Sequence, residues 1–279
     1  MVAVVFGARG NVGRHVVTGL LAAGEQVRAV SRDPKADFGS GVQVAVADLE
    51  RPETLPEALA GADTVFLYAT LDGGADFVKA AESAGVRHVA LLSSVSVVGP
   101  DAEHNPIGRL HRTVELALER SSLDWTFVRP GIFATNIPWW WGAQIRTEGV
   151  VRLPYPNAHT APVPERDIAA LAVTALTEPG ISHQAFTLYG SESLPLQRQF
   201  ELIGEATGRP IRIETVTPEQ ARADLAARLP EFLADNLIRM WAANDGVPAP
   251  ISTIVAKVTG HPAQSFAEWA VDHADDFRP

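Results

Sequence analysis

The segment Val2-Ala-Val-Val-Phe6-Gly7-Ala-Arg-Gly10-Asn-Val-Gly13 decides how this chain is read. A short apolar, β-branched run enters three glycines spaced three apart, and an amphipathic stretch follows through Val16, Val17, Leu20 and Leu21. That order is strand, tight turn, helix. A glycine turn at a helix N-terminus presents unpaired backbone N–H groups and the positive end of the helix dipole, which together suit an anion. The missing Cβ atoms at Gly7 and Gly10 let a diphosphate approach the backbone, and glycine at 13 lets the helix pack close to the strand. The G-x-x-G-x-x-G spacing departs from the commoner G-x-G-x-x-G, so the flanking strand and helix carry the weight.

Outward from this turn, strand and helix patterns alternate. Apolar strand patterns lie at 2–6, 27–31, 42–47, 64–69, 88–94 and 125–129, with helix patterns between them at 11–23, 52–60, 73–84 and 106–121. Strands rich in Val, Leu and Phe without alternation are buried on both faces, as in a parallel sheet. The predicted fold is α/β: a doubly wound parallel Rossmann sheet with a smaller, mainly helical C-terminal region. The expected organisation is a dinucleotide-binding domain over 1–130 and a smaller region over 131–279, interleaved with the last strands of the sheet at about 165–190. Past Pro130 the texture changes to proline-rich loops containing Trp139, Trp140 and Trp141. A helix is expected from about Asp167, a strand at 184–189, and helices at 196–208, after Thr217, at 230–243 and at 264–277.

Composition narrows the function. The 279 residues are 46% hydrophobic, enough for a full core, and carry 23 basic against 33 acidic side chains, a formal charge of −10. An acidic chain with no Lys/Arg block is a poor match for nucleic acid. The absence of cysteine removes disulfides, thiolate nucleophiles and Cys-based metal sites, and scattered histidines and acids give no metal signature. The N-terminus has no basic leader, and no apolar run approaches the ~18 residues of a membrane span. A cytoplasmic protein, monomer or homodimer, is expected.

The second strand ends Val30-Ser31-Arg32-Asp33. In such a sheet the residue past this strand faces the adenosine ribose: an acid bonds a free 2′-hydroxyl, and Arg accommodates a 2′-phosphate. Ser31 and Arg32 precede Asp33, and Arg9 inside the turn can reach the same phosphate, so NADP(H) is favoured and NAD(H) is the alternative. Asp48-Leu49 ends the third strand, where the carboxylate either meets the adenine amino group or simply closes a loop. The candidate cofactor set is Gly7, Arg9, Gly10, Asn11, Val12, Gly13, Ser31, Arg32, Asp48, Leu49, Ala69, Ser93 and Pro130.

Together, Gly-Ala-Arg-Gly-Asn-Val-Gly, Ser31-Arg-Asp-Pro34, Ala47-Asp-Leu49, Gly85-Val-Arg-His-Val89, Ser93-Ser94, Trp125-Thr-Phe-Val-Arg-Pro-Gly131 and Arg166-Asp-Ile-Ala169 resemble the NmrA-like, atypical short-chain dehydrogenases. The resemblance implies NAD(P) binding at the glycine turn and a substrate cleft between the carboxyl edge of the sheet and the small domain. It also implies a range of functions: quinone reductases, NADP-binding redox regulators and tailoring enzymes of aromatic polyketides.

Ordinary short-chain dehydrogenases use Tyr-x-x-x-Lys, whose ammonium lowers the tyrosine pKa for proton exchange with substrate. Here the residues four places beyond Tyr68, Tyr155 and Tyr189 are Asp72, His159 and Ser193, so the dyad does not exist. The corresponding helix reads His111-Arg-Thr-Val-Glu115, which puts His111 and Glu115 on one face. A carboxylate there is expected to raise the imidazole pKa and orient the ring, and the NmrA-like quinone reductases have a similar His-x-x-x-Glu. A plain surface pair is the alternative. The candidate catalytic residues are therefore His111, Glu115 and Ser94. Phe133, the three tryptophans and His104 are candidate substrate contacts, since a flat aromatic ligand stacks well on indole. Against that, the tryptophans can pack on Trp241, Phe232 and Trp269, and His104 can be a solvated loop residue. The leading expectation is an NAD(P)H-dependent oxidoreductase acting on a small flat aromatic or quinone-like substrate. A polyketide-tailoring oxygenase or hydroxylase of phenolic or anthrone-like substrates and an NADP(H)-binding redox sensor are the alternatives.

Overall fold

The computed structural model describes residues 1–70, 74–99 and 102–279. The expected helix start at 73 and Asp101 of the His104 loop lie outside the described residues. The chain divides into two units. Met1–Gly131 belongs to the first and carries β1 (Val2–Val5), α1 (Gly13–Ala22), β2 (Gln26–Ser31), β3 (Val42–Val46), α2 (Leu55–Leu59), β4 (Thr64–Tyr68), α3 (Gly74–Ala84), β5 (His88–Leu92), α4 (Pro106–Glu119) and β6 (Asp124–Pro130). The second unit then takes α5 (Ala143–Glu148), β7 (Val150–Leu153) and β8 (His159–Thr160). The chain returns to the first for α6 (Glu165–Thr177) and β9 (Gln184–Leu188), then leaves for β10 (Leu194–Pro195), α7 (Leu196–Thr207), β11 (Arg212–Thr215), α8 (Pro218–Ala226) and α9 (Glu231–Ala243). It returns once more for α10 (Ile254–Thr259), a segment the sequence reading left without an element, and ends in the second unit with α11 (Phe266–Asp272).

The first unit is a seven-stranded parallel sheet in the order β3-β2-β1-β4-β5-β6-β9. Strand order reverses between β1 and β4, which is where an open doubly wound sheet binds its ligand, beyond the carboxyl ends of the strands. Helices α1, α6 and α10 pack together, as do α2, α3 and α4, one group on each face as right-handed crossovers require. Because both faces are covered, β1, β4 and β5 have no polar side, and Val4, Phe6, Leu67, Leu91, Phe77 and Phe127 join one core. Phe6 meets Phe77 edge-on at 5.7 Å.

The second unit has two small sheets, a parallel pair β7–β11 and an antiparallel pair β8–β10, packed with helices. Its helices start and stop where the local chemistry dictates. Thr217 with Gln220 and Ser265 with Glu268 form capping boxes, and α7 ends at Gly208 in the left-handed region. Trp141, Trp241, Phe200, Trp269, Phe266 and Phe277 build its core. Among the described residues no helix is long and apolar enough to cross a membrane.

Candidate functional site

The glycine turn between β1 and α1 has a structural reason for glycine at 7 and at 13. Gly7 has a φ of 68°, open to glycine at little cost, and its carbonyl accepts from the Gly10 N–H at 2.8 Å. A Cβ on Gly13 would stand 2.1 Å from the Gly7 oxygen, so position 13 admits only glycine while the turn is closed. The close approach is therefore helix to turn, rather than helix to strand as the motif suggests. Val12 occupies the N-cap without a side-chain hydrogen bond, and the first turn of α1 has no acidic residue. The amides of Arg14, His15 and Val16 pair with carbonyls of Gly10 and Val12. Those before them, from Asn11 to Gly13, have no helical carbonyl to bond. An uncapped helix start just past the exposed Gly10 and Asn11, with a backbone cradle that a Cβ would fill, fits the diphosphate of a dinucleotide.

On the β2–β3 side, Arg9 lies 3.6 Å from Asp33, both about half exposed, and its guanidinium sits over the Phe38 ring at 5.6 Å. Ser31 Oγ accepts from the Asp33 N–H at 3.0 Å, so this hydroxyl shapes the turn that presents Arg32 and Asp33. Asp48 closes its own turn by accepting from the Glu50 N–H at 3.1 Å, and Leu49 is buried. Ala69 follows β4 and is half-buried. Tyr68, just before it, was absent from the candidate set; its ring lies against Gly7. Burial pushes its phenol pKa up, assisted by Asp48 and Glu50 and opposed by Arg32.

The carboxyl ends of β5 and β6 hold a buried ion cluster. Glu115 on α4 is fully buried (0% exposed). It accepts from Ser93 Oγ at 2.7 Å, from Arg129 Nε and Nη2 at 2.8 Å each, and from Arg112 Nη1 at 3.0 Å. The expected orienting contact from Glu115 to His111 is therefore replaced, because the forked guanidinium of Arg129 occupies both carboxylate oxygens. His111 Nδ1 is buried without a hydrogen-bond partner among the described residues. Burial lowers the imidazole to about 4, with Glu115 opposing, so the expected rise is reversed: desolvation outweighs the nearby charge. Ser93, a candidate cofactor contact, is only 1% exposed and committed to Glu115. Ser94 is half-buried and caps the turn at Val95–Val97 by accepting from the Ser96 N–H at 3.1 Å. Pro130 is buried at the end of β6, and His104 is exposed in its loop. Arg129 was the readable clue: a cation inside an otherwise apolar buried strand requires an anion nearby.

In the second unit the three tryptophans part company. Trp140 and Trp141 are core residues, Trp141 stacking on Trp241 at 5.6 Å and meeting Phe200 edge-on at 5.1 Å. These two are thereby corrected from ligand contacts to packing residues. The π-helical turn Pro138–Gly142 holds them there and leaves Trp139 58% exposed. Phe133 is half-buried and its backbone bridges to Val163.

A family model described as NAD(P)H-binding matches residues 7–179, from the first glycine of the turn through α6. The chain belongs to the NAD(P)H-binding family. Within reach of this family by sequence are the (4-alkanoyl-5-oxo-2,5-dihydrofuran-3-yl)methyl phosphate reductase of Streptomyces griseus, 37% identical with 99% of both chains covered, and the NAD(P)H azoreductase of Xenophilus azovorans, 36% identical with 98% of both covered. The fold is shared with an NADPH-dependent quinone oxidoreductase from Escherichia coli crystallised with NADPH, at a TM-score of 0.79 and 24% identity over 98% of this chain and 99% of that one. NAD(P)H is thus the cofactor of this family member.

Proposed function

We propose that the protein is a reductase of small, electron-poor conjugated acceptors that prefers NADPH as its hydride source. The sequence relatives support a reductase, and the substrate classes in their names share one property. An acylated dihydrofuranone and an azo group each offer a double bond whose added electron pair is delocalised or held on an electronegative atom. Quinones belong to the same chemical class. Bound NADPH supplies a hydride to such an acceptor, and one proton completes the reduction.

The observation that carries the reading is the protonation chemistry around α4. There is no Tyr-x-x-x-Lys, and His111, held near 4 by burial, is neutral at pH 7. A simple ketone needs a good acid as its alkoxide forms, whereas a conjugated acceptor spreads the charge and can take its proton from water or a neutral imidazole. The glycine turn with the N-terminus of α1 would hold the diphosphate, and Arg9 and Arg32 would take the 2′-phosphate. Ser94 is the hydroxyl with some exposure at the end of β5.

The test is anaerobic NADPH oxidation by the purified protein with a quinone, an azo dye, an acyl-dihydrofuranone and an unconjugated ketone. Turnover with conjugated acceptors but not with the ketone is expected. If none of the conjugated acceptors accelerates NADPH loss over the no-acceptor control, the proposal is wrong.

A further inference from the structure

At the carboxyl end of β4, beside β1 in the sheet, Tyr68 lays its ring across the glycine turn. A Cβ on Gly7 would stand 3.0 Å from Cδ1 of that ring and 3.1 Å from Cε1, so the absent side chain at 7 and the aromatic at 68 are fitted to one another. The ring is not sealed in; Tyr68 keeps 39% of its surface exposed. Arg32 past β2, and Asp48 and Glu50 past β3, act electrostatically on its phenol, so from the end of β4 the ring is within reach of the β2–β3 side of the turn. In a doubly wound sheet that side receives the adenosine ribose, and the β1–β4 boundary is where strand order reverses.

We propose that the ring of Tyr68 is a recognition surface for the adenosine half of the dinucleotide, with the purine base lying against it. The inference rests on NAD(P)H binding at the glycine turn and adds a residue to it. An aromatic ring with an open face suits any base, because every base has a π-face, and removing such a ring weakens binding about tenfold or more.

The experiment is calorimetric titration of the full chain with NADPH and with 2′,5′-ADP, which carries the adenosine half alone. Wild type, Tyr68→Phe, Tyr68→Leu and Tyr68→Ala are compared, with thermal melting in parallel. Tyr68→Phe should retain affinity, and Tyr68→Ala should lose about tenfold for both ligands. If the alanine variant melts well below wild type, Tyr68→Leu replaces it, since leucine fills volume without an aromatic face. Two results overturn the proposal: an alanine or leucine variant that binds 2′,5′-ADP as tightly as wild type or tighter, or a phenylalanine variant as weak as alanine, which would assign recognition to the hydroxyl. Failure of the wild type to bind NADPH at all is a separate outcome and removes the underlying reading of the turn.

Discussion

Asp33 and Arg9 face each other at 3.6 Å, and Arg9 is one of the two cations proposed to hold a 2′-phosphate. The aspartate competes with that phosphate for the guanidinium, and it can also accept from a free 2′-hydroxyl. Asp33→Asn should therefore raise the preference for NADPH over NADH, by about two- to fivefold given the small free energies of exposed pairs. The ratio of the two dissociation constants measures it, and an unchanged ratio would assign selectivity elsewhere. His111 gives a pH dependence whose sign follows from its burial. Its imidazole is lowered from 6.5 to about 4 in the folded chain. Between those values the unfolded chain binds a proton that the folded chain refuses, so stability falls as pH drops from 6.5 towards 4 and is unaffected above. The loss should be on the order of 2–3 kcal/mol. Urea unfolding of wild type and His111→Gln across this range tests it, with the variant expected to show the flatter profile.

At the scale of elements, Gly13→Ala is the most diagnostic change. Its new Cβ would meet a backbone oxygen at 2.1 Å, which no rotamer can relieve, so either the Gly7–Gly10 turn or the first turn of α1 must move. NADPH binding should be lost and the melting temperature lowered, as titration and calorimetry would show. The glycine turn and the parallel strands were legible in the sequence because both depend on local chemistry: positive φ, helix capping, and unbroken apolar runs on strands covered from both sides. What was not legible depends on contacts between distant segments. Glu115 and His111 are one helical turn apart and look like partners, yet Arg129, fourteen residues on and in a strand, takes the carboxylate. Spacing along α4 cannot show which of its faces meets β6. The pairing of β7 with β11, sixty-two residues apart, and the return of α10 to the first unit escaped for the same reason. Three adjacent tryptophans cannot all face one core, but only the π-helical turn decides which two go inside.

Over the whole molecule, the two units carry different kinds of risk. In the second, Trp141 lies in a core with Trp241 and Phe200, and Trp141→Ala should cost about 3–5 kcal/mol. Trp139→Ala, two residues away but exposed, should leave the unfolding midpoint in place. A stability loss at 139 equal to that at 141 would count against this division. In the first unit, α1 begins at a residue that cannot cap it and carries no acid in its first turn. On the proposed binding of the diphosphate at this turn, the missing cap is a component the chain leaves to the solution, supplied when the nucleotide docks. The nucleotide is then a diffusible part of the fold, and the melting point becomes a reading of how much of it is present. At a hundred times the dissociation constant the gain is about 2.7 kcal/mol. It should be concentrated in the first turn of the helix, as slowed hydrogen exchange at residues 11–14, so that a protein starved of cofactor is also one that opens first at its own binding site.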